Sequence, residues 1–434
     1  MINEFFLVLF QLFLLIVIFS LNPFKILIGK KISNISAIQS INFNILIVFN
    51  LILLISFFNQ TLDNIFYGVI VYFIILFSVN IFYIKKNNLF FDPKLIVFFP
   101  LCFVIFLDVS TNLALSWDGE KFWFQKVLNF YHNFSIENLT NVANPWYPYL
   151  GSLIWSFFWK FSLIEYNYSG RLFYAFFYVA SLILLIDLIK IKRTYKFLFL
   201  LAMIFITYDY YLILSGNQEI LIFSLITLCM YCFHKLKQKD PNKYFFLITI
   251  FLIINSLIWI KQEGVVFSFI IILTLLFFFN FSFKIKLLIT LSFILLFCLR
   301  LFIYKIYNFE LIINNCCHID FSLNTLLENI SLDRILLILK FFFLGLFKNY
   351  LLPFGIITLL FSLSDKKFAK KNLFIYFFAF LSFSFVFVAY LTTNDDLLFM
   401  LKTGLDRLIY QFSPFIIYLF IEYLNYLKIK KNYK

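Results

Sequence analysis

Charge is scarce in this chain. Only 13% of its residues are Asp, Glu, Lys or Arg, against about 25% in an ordinary soluble domain. That is too little to solvate a surface around the 63% that are hydrophobic. A water-soluble globular enzyme is therefore excluded, and so is a disordered chain. Ten glycines exclude a collagen-like repeat, and six cysteines in 434 residues exclude a disulfide scaffold. The short alternating segments of a membrane β-barrel are missing. No G-x-G-x-x-G or P-loop stretch occurs, so a nucleotide donor has no recognisable cradle. The first residues carry Glu4 but no early Lys or Arg, and 4–22 lacks a small-residue cleavage site. That segment reads as a retained helix rather than a signal peptide. Neither an internal repeat nor a Gly/Ser linker is visible, so 1–434 reads as one domain.

What the chain has is long apolar runs, and its mean hydropathy is +0.95. A span needs about 20 apolar residues. Runs fall at 4–22, 42–58, 66–84, 95–113, 148–164, 171–189, 197–212, 219–233, 244–260, 265–283, 287–303, 335–363, 373–391 and 408–424. The fold class is all-α: a polytopic transmembrane bundle. The net charge of +14 is concentrated in seven short clusters holding 24 of the 36 Lys and Arg residues. They lie at 25–31, 85–94, 190–196, 235–243, 284–286, 366–371 and 428–434. The positive-inside rule puts all seven in the cytoplasm, so the basic balance reflects topology and no nucleic-acid partner is expected. With 85–94 inside, 114–147 lie outside. Two runs, 148–164 and 171–189, separate that outer stretch from the inner cluster at 190–196, where an odd number of crossings is required. Residues 148–164 start at Pro148, contain Trp155, Trp159 and Lys160, and have interfacial composition. They are expected to lie along the outer surface. With 335–363 as one segment broken near Lys348 and Pro353, about 13 crossings result.

Acidic groups and the remaining basic groups fall on the outer side, against the charge trend. Ionisable residues at membrane depth are costly and often functional. Four constellations stand out. In Ser116-Trp117-Asp118-Gly119-Glu120-Lys121-Phe122-Trp123-Phe124-Gln125-Lys126, an acid lies at the mouth of a span between two tryptophans, with Lys126 on the face of Trp123. Partial desolvation would raise its pKa toward the general-base range, while the nearby lysines would pull it down. A helix start capped by Asp118 accounts for the same residues equally well. Asn144-Pro145-Trp146-Tyr147-Pro148 offers rings to a sugar or to the headgroup layer. Lys261 and Glu263, in a tight outer turn, suit a phosphate or simply end a helical hairpin. Asp406-Arg407 leads into the run at 408–424, with the guanidinium at phosphate level. Cys229 and Cys232 read as packing residues. Cys316-Cys317-His318-Asp320 does not have metal-ligand spacing.

The order of these motifs resembles the integral-membrane glycosyltransferases of the GT-C superfamily, the class that includes protein O-mannosyltransferases and aminoarabinose transferases. The resemblance runs over 95–424. It comprises the acidic first outer loop, the Pro-Trp-Tyr-Pro segment, Gly170-Arg171-Leu172, the turn Ser215-Gly216-Asn217-Gln218-Glu219, Trp259-Ile260-Lys261-Gln262-Glu263-Gly264 and Asp406-Arg407. Residues 1–94 then form extra N-terminal spans. The resemblance implies outer juxtamembrane helices and an inverting sugar transfer from a polyprenyl-phosphate carrier. The acceptor would be a lipid, polysaccharide or protein of the cell envelope, on the outer face of the cytoplasmic membrane. It implies Asp118 as the catalytic general base, with Glu120 as second candidate. Trp117, Trp123, Lys126, Asn144, Tyr147, Arg171, Glu219, Lys261, Glu263, Asp406 and Arg407 become candidate substrate-binding residues. No resident cofactor is implied, and a divalent-metal requirement stays open. A polysaccharide polymerase or ligase, or a lipid-linked-sugar transporter, is the alternative reading.

Overall fold

The computed structural model describes residues 2–23, 35–84, 92–208, 215–238, 243–309, 323–348, 350–394 and 396–432. The described residues are 82% helix without strands, an all-α architecture. The helices are α1 Ile2–Phe19, α2 Ala37–Ser56, α3 Leu62–Ile84, α4 Leu95–Thr111, α5 Gln125–Tyr131, α6 Leu150–Lys160, α7 Tyr168–Ile186, α8 Arg193–Thr207 and α9 Glu219–Lys237. They continue with α10 Lys243–Ile260, α11 Gln262–Phe278, α12 Phe283–Ile306, α13 Leu323–Asn329, α14 Leu332–Lys348 and α15 Leu351–Ser364. The last four are α16 Lys366–Lys371, α17 Leu373–Leu391, α18 Leu397–Phe412 and α19 Pro414–Asn432. Among the described residues, seven helices are long and apolar enough to cross a membrane: α2, α3, α7, α9, α10, α12 and α17. Four shorter apolar helices lie in α1, α4, α11 and α15. This is a multi-pass membrane protein.

Two helices form the centre. α7 is buried along its whole length and α9 along nearly all of it. A helix that is apolar all round must be covered by protein or by lipid. Here α7 and α9 pack on each other, with α2, α4, α10 and α18 around them. The N-terminal spans share this core. Phe19 packs on Phe173 at 5.5 Å, Phe49 on Phe177 at 5.6 Å, and Asn50 donates to the Leu252 carbonyl at 3.1 Å. The described spans within 1–94 are therefore built into the bundle.

The helix termini gather into two sets. In one, Lys94 and Lys196 pair with Asp187 at 2.7 and 3.2 Å, and Lys428 donates to the Lys190 carbonyl at 2.6 Å. Lys237 pairs with Glu422 at 2.7 Å, and Lys430 with Asp365 at 2.8 Å. Parts of the basic clusters at 85–94, 190–196, 235–243, 366–371 and 428–434 thus come together. The cluster at 25–31 and the remainder of 85–94 up to Phe91 lie outside the described residues. The opposite set holds Asp63 with Lys160 at 3.0 Å, Asn59 with Glu137 at 2.7 Å, and the candidate site.

Two expectations about helix placement need correction. The segment at 148–164 contains only an 11-residue helix, α6, which at 1.5 Å per residue reaches about 16 Å and cannot cross a bilayer. It is not a surface helix, however. Leu150 to Phe158 are all buried, and α6 packs between α5 and α7. Its tryptophans are satisfied inside the fold: Trp155 donates to the Asn167 carbonyl and Trp159 to the Glu165 carbonyl, both at 2.7 Å. The last apolar run also breaks. Pro414 opens α19, because proline fits the first turn of a helix but not its interior. Asp406 and Arg407 therefore lie inside the amphipathic α18, ahead of that helix. The break expected in 335–363 is present between α14 and α15.

Candidate functional site

The loop after α4 turns back on the bundle at Ser116. Its backbone amide donates to the Ser215 carbonyl at 2.9 Å, and its hydroxyl donates to Asn217 Oδ1 at 3.0 Å. The same hydroxyl accepts from the Gly119 amide at 2.9 Å. Gly119 is required for this approach, because a Cβ there would stand 2.4 Å from the Ser215 carbonyl oxygen. Gly216 adopts a left-handed φ of 85° against the Trp155 ring, which glycine tolerates best. Residues 119–124 then form a π-helical turn leading into α5. Such turns are rare and are frequent at functional sites.

Asp118 precedes that turn but does not cap it, since its side chain makes no capping hydrogen bond. It accepts instead from Arg407 Nη1, 289 positions later in the chain. Arg407 also reaches Glu219 Oε1, from Nε at 2.7 Å and from Nη2 at 2.6 Å. Glu219, the first residue of α9, is fully buried. Its Oε1 accepts from Lys261 Nζ at 2.9 Å, and Lys261 pairs with Glu263 at 3.2 Å. Lys261 sits in the turn between α10 and α11. Burial disfavours its ammonium form, yet the carboxylates of Glu219 and Glu263 outweigh burial and hold its pKa above the ordinary lysine range. One chain of charge therefore runs Asp118–Arg407–Glu219–Lys261–Glu263, drawn from the first loop, α18, α9 and the α10–α11 turn.

Beside it stands an aromatic group. Phe122 stacks on Tyr147 at 5.6 Å, Trp123 meets the same ring edge-on at 5.8 Å, and Trp117 meets Phe122 at 5.2 Å. Trp123 is buried, whereas Trp117 is 64% exposed. Lys126 is buried beneath them and donates to the Tyr147 carbonyl at 2.6 Å. Desolvation without a counter-charge lowers its pKa to about 7. Asn144 takes a left-handed φ of 57°, and its carbonyl accepts from the Tyr147 amide at 3.2 Å.

The structure thus joins Asp118, Glu219, Lys261, Glu263 and Arg407 directly. Trp117, Trp123, Lys126, Asn144 and Tyr147 form the adjoining group. The others stand apart from these bonds. Glu120 is exposed and pairs with its neighbour Lys121 at 3.1 Å. Asp406 is exposed on α18. Arg171 is fully buried in α7, its guanidinium 5.9 Å from the Trp155 ring centre. Cys316, Cys317, His318 and Asp320 lie outside the described residues. Among the described residues no three His, Cys, Asp or Glu side chains are grouped as metal ligands.

A supporting cluster escaped the sequence reading. Arg300 of α12 is buried and donates to the Ile258 carbonyl at 2.7 Å and to Gln262 Oε1 at 2.5 Å. Gln262 and Tyr304 both donate to the Trp146 carbonyl at 3.1 Å. This holds the Pro-Trp-Tyr-Pro loop against the Lys261 turn. The signal was an arginine inside an apolar run. Comparison with models of protein families, with curated proteins and with solved structures finds no match.

Proposed function

We propose that the chain is a GT-C-type membrane glycosyltransferase that moves a sugar from a polyprenyl-phosphate carrier to a cell-envelope acceptor. One observation carries this reading. Asp118, at the mouth of an apolar helix, turns away from capping its own turn and faces Arg407 beside Glu219 and Lys261. An acid next to cations at one end of an apolar bundle is what transfer from a lipid-borne phosphate requires.

In this reading Asp118 takes the proton of an acceptor hydroxyl. The hydroxyl oxygen bonds to the anomeric carbon as the carbon–oxygen bond to phosphate breaks, and the electron pair leaves with the phosphate. Arg407 and Lys261 stabilise that charge. Attack opposite the leaving group inverts the anomeric centre. Trp117, Phe122 and Tyr147 offer faces to the sugar. The gathering of basic clusters at the opposite end supports about 13 crossings, with the Asp118 end facing the periplasm or exterior of the cytoplasmic membrane.

Asp118→Asn tests the assignment. Asparagine keeps the size and accepts a hydrogen bond but takes no proton. Transfer in membranes supplied with a polyprenyl-phosphate sugar should fall by about 10²–10⁴-fold, the typical worth of a general base. Activity retained within about threefold would reject Asp118 as the base.

A further inference from the structure

We infer that Arg407 is an exchange point: the phosphate of an incoming ligand takes Nη1 from Asp118, and the displaced carboxylate becomes free to act. The inference rests on the transferase reading above and adds to it the order of events at the site.

The first argument is charge. The network sets three carboxylates, Asp118, Glu219 and Glu263, against two cations, Lys261 and Arg407. Both cations are already matched. A further anion gains a full ion pair here only if one carboxylate gives way, because like charges at a shared site disfavour one another.

The second argument is which carboxylate gives way. Glu219 has a side chain with no exposure and is gripped by two nitrogens of Arg407 and by Lys261. Moving it would strand two buried cations, which is expensive. Asp118 is 23% exposed on its side chain and is held by Nη1 of Arg407. Among the described residues its carboxylate accepts no other hydrogen bond, and its backbone leads a π-helical turn rather than a capped helix. The Glu219 edge of Arg407 is therefore fixed and the Asp118 edge exchangeable.

The third argument is fit. A phosphate ester presents several oxygens to a guanidinium and can be held by two parallel hydrogen bonds. It replaces one anion on Arg407 by another, so the charge of the network is preserved. Asp118 moves off with water or an acceptor hydroxyl as its new partner. The base is thereby held back until the donor phosphate has arrived.

The test measures affinity for anions on the full chain in nanodiscs, read by the fluorescence of Trp117 and Trp123. The probes are inorganic phosphate and polyprenyl monophosphate. Asp118→Asn removes the competing charge, so phosphate should bind at least about tenfold more tightly than to the wild type, a difference of about 1.4 kcal/mol. Arg407→Lys, which keeps the charge but loses the fork, should bind both probes more weakly. Tightening seen only with polyprenyl monophosphate would assign the site to a lipid-borne phosphate, and equal tightening with both would assign it to phosphate from either source. Equal or weaker binding in Asp118→Asn overturns the exchange, as does absence of binding by either probe to either protein. The two readings fail separately. Transfer lost without a gain in affinity leaves the transferase standing and removes the exchange. A gain in affinity with transfer retained keeps the phosphate exchange at Arg407 and rejects Asp118 as the base.

Discussion

Glu219→Gln tests whether the charge network holds the helices together. The carboxylate is fully buried and serves both cations, whose side chains are only 6% exposed for Lys261 and 16% for Arg407. Glutamine keeps the volume and one acceptor oxygen, so packing is preserved and the charge alone is removed. Deleting one partner of a buried pair costs about 3–5 kcal/mol, because the remaining charge stays buried without compensation. Each cation here keeps a second carboxylate: Lys261 retains Glu263 and Arg407 retains Asp118. The cost should therefore fall at the lower end, about 3 kcal/mol. That corresponds to more than a hundredfold in the folding equilibrium. Unfolding of the purified protein in mixed micelles, with increasing denaturing detergent, gives the measurement. Glu263→Gln is the control. Its side chain is 23% exposed and, among the described residues, pairs with Lys261 alone, so it should cost under about 1 kcal/mol. If the two variants unfold alike, within about 1 kcal/mol of the wild type, the network contributes little to stability and the reasoning fails.

Two other perturbations follow from individual residues. Burial lowers the Lys126 pKa to about 7 in the folded protein, whereas an unfolded lysine titrates near 10.4. Between those values the unfolded chain binds the extra proton, so stability rises with pH across about 7 to 10, by up to about 1.4 kcal/mol per unit. Lys126→Met should remove that slope, and an unchanged pH profile would show that the amine is solvated. The gathering of basic clusters places exposed Thr194 at the end opposite Asp118. Thr194→Cys, with Cys316 and Cys317 replaced by Ser, should resist a membrane-impermeant thiol reagent added from outside, and efficient outside labelling would overturn the orientation.

Hydropathy located the helices well because each run had to escape water. The run at 373–391 is α17 to the residue, and the interruption near Lys348 is a real helix break. The other break was written at Pro414 and passed over. It moves Arg407 from the start of a span into an amphipathic helix. The basic clusters also marked ends that come together, since like-sided loops share one face. Hydropathy could not say which helices are covered by protein and which by lipid. The exposed α12 and the fully buried α7 read alike, because both surroundings are apolar. For the same reason α6 looked interfacial although it is enclosed. The candidate site followed the same division. Residue types in the first loop, at Lys261 and at Arg407 marked where charge departs from the apolar background. Only the packing of α9 between the first loop and α18 decided that Asp118 faces Arg407 across 289 residues and Glu120 faces its neighbour Lys121. A charged side chain in an apolar bundle must find a partner, but which partner depends on which helix ends meet.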